Sequence, residues 1–124
     1  MPTQKKLKKI IEKHGWPGYN MVGKEAAEAA FLIVQHADKD FTFQKMALQL
    51  LQKAVSIRDA DPKHMAYLID RVKVKENLPQ IYGTQINWVN GRPQPFPIED
   101  EENVDERRIE VGLDSLAAYL KNFQ

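Results

Sequence analysis

His36 closes the apolar run Phe31-Leu32-Ile33-Val34, with Gln35 before it and Asp38 two positions after it. An imidazole at a helix end beside a carboxylate has the makings of a general acid or base, the carboxylate orienting and charge-stabilising the ring. The plainer reading is a polar group that finishes a helix. Further on, Asp70 and Arg71 interrupt the apolar series Met65, Tyr67, Leu68, Ile69, Val72 and Val74. Neighbours on a helix point about 100° apart, so both cannot easily avoid the apolar face; each pairs elsewhere, or one lines a cavity. Tyr82-Gly83-Thr84-Gln85 sets three hydrogen-bonding side chains around a glycine that permits close backbone approach, by a ligand or by a neighbouring loop. In an extended segment Tyr82 and Thr84 share one face, and Gly83 and Gln85 the other. Asp105 reads as a capping or dipole-stabilising carboxylate on the first turn of a helix. Arg107 and Arg108, with Arg92 as a further candidate, can fork onto a carboxylate or phosphate, or form a solvent-side ion-pair network.

Other chemistries are set aside by composition. There is no cysteine, which removes disulfides, thiolate metal sites and thiol nucleophiles. The three histidines, His14, His36 and His64, match no zinc spacing, so no metal and no cofactor is expected. No phosphate-binding glycine loop and no nucleophile elbow is present, and the only serines are Ser56 and Ser115. Eighteen basic against seventeen acidic residues leave a formal charge of +1, too little field to hold a polyanion. The lysine run Lys5, Lys6, Lys8, Lys9 and Lys13 reads as the solvated face of a helix, and nucleic acid is not an expected partner. No apolar run approaches the roughly 20 residues that span a bilayer, and the start lacks a signal-peptide core. The expected location is the cytoplasm, away from membranes.

The elements that must position these residues follow from periodicity. At 124 residues the expectation is one domain, mainly α, a compact bundle of about five helices with one small β-hairpin around residues 81–97. Leu7, Ile10 and Ile11 mark a first helix over 4–14; GWPGYNMVG then reads as a loop, and KEAAEAAFLIVQHA as a largely buried helix from Lys24 to about Ala37. Thr42 is the expected N-cap of the next helix, and Asp61-Pro62 starts another. IYGTQINWV reads as a strand, Asn90-Gly91 as a two-residue hairpin turn, and the prolines of RPQPFPI confine the second strand to an edge. A short helix from Asp105 and a terminal helix capped by Asp114 or Ser115 complete the chain. Trp16 and Trp88 either wall a pocket or fill the core, the core being the commoner place for aromatic residues.

HGWP at 14–17, VG at 22–23, QHAD at 35–38, AYLIDR at 66–71, PQIYGTQ at 79–85, PI at 97–98, VDERR at 104–108 and VGL at 111–113 stand in one order along nearly the whole chain. In that order they resemble the bacterial family called domain of unknown function six-six-two-four. The family has no established activity, so the resemblance implies site positions and no mechanism. Those positions are Trp16, Gln35, His36, Asp38, Asp70, Arg71, Tyr82, Gln85, Asp105 and Arg108.

Two readings follow. In the first, the chain is a metal-independent enzyme of hydrolase or lyase type, or a small-ligand-binding domain. His36, Asp38 and Tyr82 carry the chemistry, Arg71 or Arg108 holds an anionic group, and Tyr82 with Gln85 positions a carbonyl or amide. Trp16, Gln35, Asp70 and Asp105 complete a pocket for a small molecule or peptide. In the second, the chain is a non-catalytic binding or immunity-like interaction module, and the same residues form a structural network. Oligomeric state is open under both.

Overall fold

The computed structural model describes residues 3–124. Its described residues are mainly helical: α1 (Gln4–His14), α2 (Tyr19–Gln35), α3 (Phe41–Ser56), α4 (Pro62–Lys75), α5 (Val104–Glu110) and α6 (Leu116–Lys121). A two-stranded antiparallel sheet, β1 (Ile86–Val89) and β2 (Arg92–Pro95), lies between α4 and α5 in sequence. No helix among the described residues is long and apolar enough to cross a membrane. The chain forms two compact units, one running to Met65 and the other Ala66–Gln124.

In the first unit α1 buries Leu7 and Ile11 and turns its lysines outward, as its spacing requires. α2 contributes Ala27, Ala30, Phe31 and Val34 to the core, and α3 contributes Phe43, Ala47, Leu51 and Ala54. Alanines at these contacts let the helix backbones approach closely. Two boundaries differ from the sequence reading. The cap of α3 is Asp40, not Thr42: its carboxylate accepts from Phe43 N at 3.2 Å while also taking Lys8 Nζ at 2.6 Å and Gln4 Nε2 at 3.0 Å. And the GWPGYNMVG segment is only partly loop, because Tyr19–Val22 forms a helical turn, broken at Gly23 (φ 82°, ψ 169°) before the long helix begins.

That early turn is held from outside. Asp59 accepts from Tyr19 N through its carbonyl at 2.9 Å and from Asn20 N through Oδ1 at 2.8 Å, placing a carboxylate on the positive end of α2. The approach demands a glycine at position 18, since a Cβ there would lie 2.1 Å from Asp59 Oδ2. Gly18→Ala must therefore lose this capping or displace the 58–60 turn. Loss of a cap together with local overpacking is expected to cost roughly 2 kcal/mol, read as a lower midpoint in urea with unchanged slope.

The sequence signals hold for the start of α4, where Asp61 Oδ1 accepts from Lys63 N at 2.9 Å, and, in the second unit, for the hairpin turn, where Asn90 (φ 54°) and Gly91 (φ 77°) are both left-handed. The register pairs Ile86 with Pro95, Asn87 with Gln94, Trp88 with Pro93 and Val89 with Arg92. Phe96 N donates to Gln85 O at 3.1 Å, continuing the ladder by one pair. Hydrogen-bonded pairs in an antiparallel ladder alternate, so 85, 87 and 89 face β2, whereas Pro93 and Pro95 fall at positions whose nitrogens face away. Both prolines thus sit in the strand without costing a ladder bond. The expected strand across IYGTQ is not formed: 81–85 is a bent segment and β1 starts at Ile86. Nor is Trp88 in the core; it is 56% exposed, while Trp16 is 9% exposed.

Candidate functional site

The residues singled out in the second unit converge on the 80–85 segment. Asp70, in the middle of α4, is wholly buried. Its Oδ1 accepts from Ile81 N at 2.8 Å and Tyr82 N at 3.0 Å, and its Oδ2 from Thr84 N at 2.9 Å and Thr84 Oγ1 at 2.7 Å. Successive amides can point inward this way because Gly83 takes φ 70°, forming a concave nest of N–H groups. An alanine there would also press its Cβ to 3.0 Å from Ile98 Cδ1 and 3.1 Å from Leu116 Cδ1. Burial pushes the Asp70 carboxyl above the usual carboxylate range, with the hydrogen bonds from Thr84, Tyr82 and Ile81 opposing it.

A second layer surrounds the nest. Gln80, also wholly buried, donates from Nε2 to Gln85 O at 3.1 Å and Phe96 O at 2.9 Å, and accepts from Gln85 N at 3.0 Å. Arg71 Nη1 donates to Gln85 Oε1 at 3.4 Å, Gln85 Nε2 to Thr84 Oγ1 at 3.0 Å, and Thr84 Oγ1 to Asp70. The result is a chain from a cation to a carboxylate in which each bond polarises the next. Arg107 Nε donates to Ile81 O at 2.8 Å and its Nη atoms to the carbonyls of Asp100 and Glu99. Arg108, wholly buried, donates to Asp114 O at 2.6 Å, Tyr82 O at 2.7 Å and Asp114 Oδ1 at 3.2 Å, and its guanidinium lies 4.8 Å from the Tyr119 ring centre. Tyr119 Oη donates to Thr84 O at 2.7 Å.

These placements change several expectations. Arg108 is no solvent-side arginine; it is the largest fully buried side chain among the described residues. Asp105 stands in the first turn of α5, as expected, but the helix it caps is α6: its Oδ1 accepts from Leu116 N at 2.8 Å, alongside Ser115, whose Oγ accepts from Ala118 N at 3.1 Å. Tyr82 enters the network through its backbone. Burial first, then the negative charge of Asp70 and Glu110, pushes its phenol above the usual tyrosine range.

The remaining candidates belong to the first unit. His36 is the exposed C-cap of α2, and Asp38 is exposed. Between them works a residue the sequence did not single out, Gln44, wholly buried on α3. Its Nε2 donates to Val34 O at 3.1 Å, Gln35 O at 3.2 Å and Asp38 Oδ1 at 3.3 Å, closing the carbonyl end of α2. Trp16 walls a hollow of about 440 Å³ with Leu50, Lys53, Ala54, Ile57 and Asp59, and its indole N–H has no partner among the described residues. His64 stacks on Phe31 with ring centres 4.2 Å apart and planes 2° from parallel.

Burial lowers the His64 pKa, against the pull of Asp61 and Glu28. The neutral ring is favoured in the folded state, so its contribution to stability is complete above the unfolded value of about 6.5 and is lost as pH falls from there through the lower folded value. His64→Gln is expected to flatten that part of a plot of melting temperature against pH, and an unchanged slope would show that His64 does not set it.

No group of three or more metal-ligating side chains occurs among the described residues. No curated protein and no solved structure matches the chain. The model described as "Family of unknown function (DUF6624)" matches residues 2–124, and the chain belongs to that family.

Proposed function

We propose that this chain is a non-catalytic interaction module whose motif residues hold a loop and a hairpin in place, in preference to a hydrolase, a lyase or a small-ligand receptor acting through those residues. The carrying observation is the saturation of Asp70. A carboxylate has about four lone-pair sites, and the four donors of the 81–84 segment take them up. A buried carboxylate so engaged has no capacity left for a substrate. Arg107 and Arg108 support the same reading, because their forks are spent on main-chain carbonyls and on Asp114. What the network leaves exposed is the hairpin it anchors, with Trp88 and Val89 facing solvent.

The test separates His36 from Asp70. His36 is exposed, so His36→Ala is expected to change stability by no more than about 0.5 kcal/mol. The protein should also show no hydrolysis or elimination, across ester, amide and phosphoester surrogates, that disappears in His36→Ala. A turnover that depends on His36 would overturn the proposal and restore the catalytic reading.

A further inference from the structure

The two edges of the hairpin are not equivalent. On β2 both outward positions are prolines, Pro93 and Pro95, which have no N–H to offer. On β1 the outward positions are Ile86 and Trp88, whose N–H and C=O groups have no partner among the described residues. One edge is closed to strand addition and the other is open. Open edges are usually guarded by charge, yet the 22 residues from Asn77 to Ile98 contain a single charged side chain, Arg92, in a chain that is 28% charged. Arg92 stands on the closed strand.

We propose that β1 pairs with β1 of a second copy of this chain, antiparallel about a twofold axis through Asn87. This rests on the interaction-module reading and names its partner. Only one antiparallel register engages both outward residues: Ile86 of one copy opposite Trp88 of the other, and the reverse, with Asn87 facing Asn87 across the axis. The sheet becomes four-stranded, in the order β2, β1, β1, β2, with a closed proline edge at each end. Cross-strand neighbours share a face, so Ile86, Trp88, Pro93 and Pro95 of both copies form one continuous apolar strip. At the axis the two Asn87 side chains are uncharged and able to hydrogen-bond each other, so self-pairing meets no like-charge repulsion. A charged partner strand would find no complementary charge on β1, which favours the second copy over an acidic or basic peptide. The interface is small, below about 1,200 Å², so association is weak and concentration-dependent.

The experiment is sedimentation of the full chain up to about 1 mM, together with amide hydrogen exchange and charge-swap variants. Wild type is expected to shift from monomer to dimer, with the Ile86 and Trp88 amides gaining protection as concentration rises and Asn87 and Val89 protected throughout. Asn87→Lys and Asn87→Asp, both at an exposed position, are each expected to associate at least about tenfold more weakly, and their equimolar mixture to recover dimer. Trp88→Lys should remain monomeric with an unchanged melting temperature. A wild type that stays monomeric at the highest concentration, dimers unaffected by Asn87→Lys, or a mixture no better than its components would overturn the proposal. Any of these can occur with the Asp70 network intact, whereas failure of the network reading would appear in the stability of Asp70 variants and leave association unchanged.

Discussion

Asp70→Asn is expected to lower stability by roughly 3 kcal/mol and the melting temperature by on the order of 10 °C. The substitution is nearly isosteric, so the loss comes from donors and acceptors, not from volume. One amide oxygen can still serve Ile81 N and Tyr82 N, but the NH₂ group now confronts Thr84 N and Thr84 Oγ1. The hydroxyl can rotate and accept; the backbone N–H cannot, and it is left buried against another donor. The two surviving bonds also lose their charge assistance. Solvent gives little relief, since both Asp70 and Thr84 are buried. The pH dependence supplies an independent check. A carboxyl whose folded pKa lies above its unfolded value binds protons more readily when folded, so its ionisation lowers stability as pH rises from the usual carboxylate value near 3.9 through the raised one. Asp70→Asn removes that segment of the curve. Asp70→Asn within about 1 kcal/mol of wild type would mean that the 81–84 loop holds itself, and the network reading would fail.

What could be read from the sequence was local. The Asp61-Pro62 start of α4, the Asn90-Gly91 turn and the amphipathic face of α1 each depend on residues within one turn of one another, and each stands where the spacing puts it. What could not be read depends on partners distant in sequence. Asp40 displaces Thr42 as a cap because Gln4 and Lys8, more than thirty positions away, converge on the same carboxylate. The turn at Tyr19–Val22 exists because Asp59 reaches Asn20 from 39 positions on. The 81–85 segment abandons strand geometry because its amides find Asp70 in α4 in place of a neighbouring strand. The candidate site was half legible for the same reason. Asp70 announced itself as a polar group in an apolar series, and Thr84, Gln85 and Arg108 as hydrogen-bonding groups in polar motifs, but whether such groups face a ligand, solvent or one another is decided by tertiary contacts. Gln44 gave no warning, since a glutamine inside a helix rich in glutamine carries no distinguishing signal.

Arg108→Met should cost nearly as much as the loss of Asp70, roughly 2–4 kcal/mol. Methionine fills much of the stem's volume but leaves the carbonyls of Tyr82 and Asp114 without their donor, and it removes the cation beside Tyr119. The Asp114 carboxylate is 59% exposed and can be rehydrated, so the cost falls on the two carbonyls more than on the broken ion pair. Arg108→Lys is not conservative here: one ammonium cannot reproduce a planar fork that reaches Tyr82 O from one side and Asp114 from the other. It is expected to recover less than half of the loss, measured as urea midpoints at constant slope. The decisive comparison is the double variant. Asp70 holds the 81–84 segment by its amides and Arg108 holds it by the Tyr82 carbonyl, so once either is gone the segment is already loosened and the second change costs less. Asp70→Asn with Arg108→Met is therefore expected to be less destabilising than the sum of the single changes by about 1 kcal/mol or more. Strict additivity would show two independent clamps where the geometry describes one.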